Sequence, residues 1–202
     1  LSFLVEGSGF SVGGVLNGKV GVEGLGYTPI LESNIGIADL VLHDQPLGDA
    51  KLLADWEPSS SRLNLSVYSL LATEGDRYQP FSARGYLTLG NESPDLNVDV
   101  ALSRFSLQTF APLIRGLASQ LDGSLDGSIR VEGPLFTPRI AGGIRVNEGL
   151  VKVDAINTIF TLSDSLTLLP GEVLFDHFTL RDEQGNPAYL DGLVSYKGFS
   201  DI

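Results

Sequence analysis

Aliphatic and polar residues alternate along most of the chain. Leu96, Val98, Val100 and Leu102 alternate with Asn97, Asp99 and Ala101, and Leu87 and Leu89 alternate with Tyr86 and Thr88. The same period joins Leu125, Ile129 and Val131 through Gly127, and it recurs in Ile144/Val146, Val151/Val153, Leu166/Leu168 and Phe178/Leu180. A period of two sends each set to one face of a sheet. The dipeptides Asn17-Gly18, Asp122-Gly123, Asp126-Gly127, Glu148-Gly149 and Gly185-Asn186 tolerate positive φ and are expected to be tight turns. The pattern predicts an antiparallel meander of hairpins. A parallel α/β fold lacks the alternating helices it needs.

One stretch has a different period. Leu107, Phe110, Leu113, Ile114, Leu117 and Leu121 recur at intervals of three and four, which predicts an amphipathic helix near 106–121. Ser106 is the candidate N-cap. Pro112 is expected to split the element into a short turn and a clean helix over Leu113–Gln120.

An internal repeat orders the rest. Gly14, Leu16, Gly18, Val22, Glu23, Gly24, Thr28, Pro29 and Ile35 recur as Gly123, Leu125, Gly127, Val131, Glu132, Gly133, Thr137, Pro138 and Ile144, a constant offset of 109 (123 − 14). Pro80 and Gly85 recur as Pro187 and Gly192 at an offset of 107 (192 − 85). The chain therefore divides into a first unit, 1–122, ending in the helix, and a second, truncated unit, 123–202. Both are expected to belong to one continuous sheet of a larger protein. Pairing across 41–80 is not legible.

Composition narrows the function. Net charge is −12, from 25 acidic against 13 basic residues, a surface that repels phosphate backbones and argues against nucleic acid as a partner. With no cysteine there is no disulfide framework, thiolate metal site or thiol nucleophile. No apolar run approaches the ~18 residues of a membrane-spanning helix. His43 and His177 each sit beside an aspartate, Asp44 and Asp176, but neighbouring strand residues point to opposite faces, so neither pair is expected to converge. Asp122–Gly127 and the Asp182 region lack the dense oxygen ligands of a calcium loop. Gly7-Ser8-Gly9 and Gly24-Leu25-Gly26 precede no helix and carry no phosphate-loop lysine. Trp56 reads as a packing residue. No catalytic residue, metal or cofactor is predicted.

The repeated G-x-L-x-G-x-(I/V)-x-V-E-G run followed by Thr-Pro, the Asn147–Val151 segment, the helix before Gly123, and the hairpin from Leu180 to Gly192 together resemble the TamB family of the translocation and assembly module, within the AsmA-like group. The resemblance is best from Phe81 to Phe199. It implies an open, trough-like β-sheet carrying phospholipid between inner and outer membranes in the periplasm of a diderm bacterium. It also implies support for outer-membrane protein assembly, an inner-membrane anchor outside this chain and an outer-membrane barrel of the BamA superfamily as partner. The groove lining would then be Leu125, Ile129, Val131, Ile144, Val146, Val151, Val153, Leu166, Leu168, Phe178 and Leu180. On alternation alone, the same residues suit the closed core of an adhesin-like interaction domain better than a groove, and the resemblance brings the two readings level.

Overall fold

A computed structural model describes residues 3–4, 11–23, 30–89 and 94–195. The two glycine-rich runs at 7–9 and 24–26, the Thr28-Pro29 pair and Phe199 lie outside the described residues. The chain is all-β and almost wholly antiparallel. Its strands are β1 Phe3–Leu4, β2 Ser11–Glu23, β3 Ile30–Leu42, β4 Gln45–Glu57, β5 Arg62–Thr73, β6 Asp76–Tyr78, β7 Phe81–Thr88, β8 Asp95–Ser106, β9 Ala118–Pro134, β10 Arg139–Val153, β11 Thr158–Leu162, β12 Ser165–Leu169, β13 Glu172–Arg181 and β14 Pro187–Ser195.

Apart from two interrupted strands, each strand pairs with the one before it in a single meander. β6 and β7 share one edge of β5 and act as one strand interrupted at Gln79-Pro80. β11 and β12 share one edge of β10 in the same way, interrupted at Ser163-Asp164. The segment 41–80, opaque to sequence reasoning, supplies the β3–β4 and β4–β5 hairpins. The division at 122/123 falls inside β9, so no structural break separates the two repeats.

Several expectations about local structure need correction. Asn17-Gly18, Asp122-Gly123 and Asp126-Gly127 lie inside the long strands β2 and β9, and Glu148-Gly149 lies inside β10. Only Gly185-Asn186 is in a loop, where Asp182 Oδ1 accepts the backbone N–H groups of Gln184 and Asn186. The β3–β4 turn is His43-Asp44, both at positive φ (48° and 62°), as a two-residue hairpin of the I′ kind demands. The predicted helix is a 3-10 helix at Leu107–Ile114 with Pro112 inside it, and the residues from Ala118 onward are strand. Strand pairing of Gln120 and Leu121 with β10 outweighs the helical period there. Ser106 occupies the N-cap position without capping; its hydroxyl donates to Gln45 Oε1 at 2.9 Å.

Glycines inside the strands answer a demand of packing. Gly18 lies opposite Ile35, and Gly127 opposite Ile144, the same pair one repeat later. A Cβ at Gly18 would stand 2.7 Å from the Asn34 carbonyl oxygen, and one at Gly127 or Gly85 would meet Gly143 O or Asn97 O still more closely. At these positions only a hydrogen leaves room for the backbone of the neighbouring strand.

Gly127→Ala is expected to lower stability by about 1–3 kcal/mol, because backbone must move to admit one methyl. Gly143→Ala, with open space around its Cβ, should stay within about 0.5 kcal/mol of the parent. Urea unfolding of both variants checks this pair.

Candidate functional site

The register sorts the side chains into two faces. Leu65, Gly85, Val98, Val131 and Ile140 lie in one cross-strand row, and Val67, Ala83, Val100, Ile129, Gly142 and Leu168 in the next. The apolar side continues through Leu16, Val20, Ile35, Ile37, Leu52 and Trp56 at one end and Leu166, Val173 and Phe175 at the other. Every residue of the predicted lining falls on this face.

Two regions of the face differ in burial. At one end Leu47, Leu102, Phe105, Leu125, Val146 and Phe178 form a closed core, with Leu107 and Phe110 of the 3-10 helix packed onto it. Leu125, Val146 and Phe178 are 5%, 3% and 3% exposed. These three are packing residues in this conformation, which corrects their assignment as lining. Ile129, Ile144, Leu166 and Leu180 border the same core. The remaining predicted residues, Val131, Val151, Val153 and Leu168, are only partly buried. So are Leu63, Leu65, Val67, Leu87, Leu96, Val98, Ile140 and Val173, and Leu16 and Val20 are 52% and 58% exposed. Sequence reasoning missed this half of the face in the first repeat. The offset of 109 held the signal, since it maps Leu125, Ile129 and Ile144 onto Leu16, Val20 and Ile35.

A row of β-bulges crosses the sheet beside the packed region. Ala38-Asp39, Ser103-Arg104 and Asp176-His177 each set two residues against one aspartate of the next strand, Asp49, Asp126 and Asp191. The second residue of each bulge adopts positive φ, near 50°. Its N–H, left out of the ladder, donates to that aspartate's Oδ1 at 3.1, 3.0 and 2.7 Å. At Asn147-Glu148 the acceptor is Ser163 Oγ, 3.0 Å from Glu148 N. Asp39 and Glu148 are equivalent in the repeat (148 − 39 = 109). Gly14 and Gly123 face them at positive φ, with Asp39 O and Glu148 O within 3.5 and 2.9 Å of a Cβ. A bulge bends its strand and strengthens local twist.

The opposite face is polar. Asp99 accepts from Arg130 Nε at 2.8 Å, Asp76 pairs with Arg104 at 2.6 Å, and Arg139 with Glu132 at 3.6 Å. These arginine contacts hold the Asp76 and Asp99 carboxyls below their ordinary range. A depression of 720 Å³ lies mainly on this face, over Ser66, Tyr68, Ser82, Arg84, Ala101 and Ser128. It brings no acid and base together with a nucleophile held by either.

His177 and Asp176 do converge, contrary to the expectation from strict alternation, because the bulge puts both on one side. His177 Nδ1 lies 3.1 Å from Asp176 Oδ1 and 3.1 Å from Asp191 Oδ1. The Asp176 carboxylate, with Asp191 behind it, raises the imidazole above its ordinary pKa. The three groups are within metal-ligand reach of one another, but all are exposed. Asp191 already serves the bulge N–H, as Asp49 and Asp126 do where no histidine is present, so backbone support accounts for the arrangement.

Asp164 carries a testable load. It accepts the N–H of Thr179 at 3.0 Å and of Ser165 at 2.7 Å, which lowers its pKa, Thr179 contributing most. A depressed folded-state pKa stabilises the fold above the unfolded value of about 3.9 and is lost as pH falls through the folded one. Asp164→Asn should therefore unfold at lower urea than the parent at pH 7, and the gap should narrow as pH falls below the ordinary carboxylate range. A gap independent of pH would remove the carboxylate from the account.

Against known proteins, the chain matches no family model, no curated protein and no solved structure.

Proposed function

We propose that the chain is a non-enzymatic segment of an envelope protein whose half-exposed apolar face carries phospholipid acyl chains. The observation that carries this reading is a continuous aliphatic band from β2 to β14, of which only seven hydrophobic residues are buried among the described residues. At about 4.8 Å per strand spacing, a band crossing eleven strands is roughly 50 Å long along the sheet. One leaflet of a bilayer is about 15 Å of hydrocarbon, so the band accommodates several chains end to end.

Energetics suit the task. An acyl chain of about 15 methylenes gains on the order of 12 kcal/mol on leaving water. A row of Val, Leu and Ile side chains supplies that gain in small steps, with no charged anchor on the face to hold a headgroup. A sheet curved toward its apolar side would give the band the form of an open trough, lined by Leu65, Val67, Val98, Val131, Ile140 and Leu168 rather than by the packed residues at its closed end. The resemblance to the TamB family supplies the setting of this proposal: the periplasm of a diderm bacterium, an inner-membrane anchor elsewhere in the parent protein, transfer toward the outer membrane in support of protein assembly there, and a BamA-superfamily barrel as partner.

Photo-crosslinking residues at Val98, Val131 or Leu168 should capture phospholipid in cells, and the same residue at Arg130 or Arg145, on the polar face, should not. Equal capture from both faces, or capture from the polar face alone, would defeat the proposal. Val131→Asp should reduce uptake of a fluorescent phospholipid by the purified chain while its circular dichroism stays that of the parent.

A further inference from the structure

The depression on the polar face lies over β5, β7, β8 and β9, and its side chains differ from their neighbours in being unpaired. Elsewhere on that face polar groups engage one another: Asn64 donates to Asp55, Asn147 donates to Asp126, and Arg139 pairs with Glu132. In the depression Ser66, Tyr68, Ser82, Arg84 and Ser128 have no side-chain hydrogen bond or ion pair among the described residues. The one acid in the lining, Asp99, is taken by Arg130 Nε at 2.8 Å.

The register sets these groups side by side. Lys51, Tyr68, Ser82, Ala101 and Ser128 form one cross-strand row, and Ser66, Arg84, Asp99 and Arg130 form the next. Lys51 is half-buried and, like Arg84, makes no ion pair among the described residues. From β5 to β9 the patch measures about 14 Å across the strands and about 7 Å along them. The volume of 720 Å³ falls within the range of about 300–1,000 Å³ typical of small-molecule sites.

The chemistry of the lining selects a ligand. A free guanidinium presents a fork that matches an oxyanion. Each hydroxyl is both donor and acceptor, which suits the hydroxyls of a sugar. Asp49 and Asp126 stand two residues from Lys51 and Ser128 on the same strands, so acid borders the patch and an extended polyanion is repelled. A carboxylate carries one negative charge and a phosphate monoester about one and a half to two, and a chain of net charge −12 favours the lesser.

We propose that this depression binds a soluble acidic sugar. Its carboxylate lies on Arg84, with Lys51 adding positive charge, and its hydroxyls meet Ser66, Tyr68, Ser82 and Ser128. The site is on the opposite face from the aliphatic band and is independent of what that band carries.

The test is a titration of the isotope-labelled chain with glucuronic acid, followed by its amide spectrum. Amides at 66–68, 82–84, 99–101 and 128 should shift and saturate. Glucose and acetate, each holding half of the chemistry, should bind at least about tenfold more weakly. Arg84→Ala should weaken glucuronic acid by about the same factor while its spectrum outside the patch stays that of the parent. Lys51→Ala, the second variant, should weaken it by a smaller factor. The absence of a saturable shift overturns the proposal, as do shifts confined to other parts of the chain. Glucose or acetate binding as tightly as glucuronic acid also overturns it, and so does undiminished binding in both variants.

Discussion

Everything in this sheet depends on how its long strands are allowed to bend. A strand of 12 to 17 residues that stays in ladder register is a stiff ribbon, and its bending leaves backbone groups without partners. Here the bend is placed at a row of bulges, and each orphaned N–H is caught by a side-chain oxygen one strand away. Asp49, Asp126, Ser163 and Asp191 perform the same task on four different strand pairs. All four contacts are exposed, so each adds only a modest amount to stability, and their role is to fix where the bulges sit. Asp126 also accepts from Asn147 Nδ2 at 2.6 Å, which ties the bulge in β8 to the one in β10.

The apolar face has two environments, and the bulges lie close to where they meet. At the packed end Leu47 of β4 joins Leu102, Phe105, Leu125, Val146 and Phe178 in one cluster, and Leu107 and Phe110 of the 3-10 helix pack against it. Elsewhere on the face the same alternation continues, but nothing comparable covers it. Aliphatic side chains there are sheltered chiefly by their cross-strand neighbours and remain partly in contact with water. One pattern of residues thus produces a packed end that stabilises the fold and a stretch that is only half-buried.

This division explains what was and was not readable in the sequence. Alternation gave the faces correctly, since Val98, Ile129, Ile144 and Leu166 all project to one side, and the antiparallel class followed from it. The same alternation is silent about coverage: Leu125 and Val131 are six residues apart on one face of β9, and only the first is buried. Asp-Gly and Asn-Gly pairs misled because two different demands select the same residues. A turn needs positive φ, whereas Gly18 and Gly127 are needed where an aliphatic residue's backbone presses in from the next strand. Asp126, read as part of a turn, is an acceptor for a bulge 22 positions earlier. Such a long-range partner leaves no periodic trace. The helical spacing from Leu107 to Leu121 failed at its C-terminal end for a related reason: from Ala118 onward the segment finds strand partners on β10, and a ladder of hydrogen bonds outweighs a weak helical preference.

An open aliphatic band is costly in water, and the chain's electrostatics bear on how that cost is tolerated. The charged side chains are gathered on the reverse face, where Arg130–Asp99 and Arg139–Glu132 pair across strands, and the excess of acid leaves a net charge of −12. Mutual repulsion of that size opposes face-to-face association of two copies, the simplest way for the apolar bands to hide. A neutral hydrocarbon chain meets no such repulsion. On the proposed reading, the same charge that keeps copies apart would leave the band to an uncharged apolar guest, and a face whose described residues are aliphatic would let such a guest slide along the strands instead of holding it at a single position.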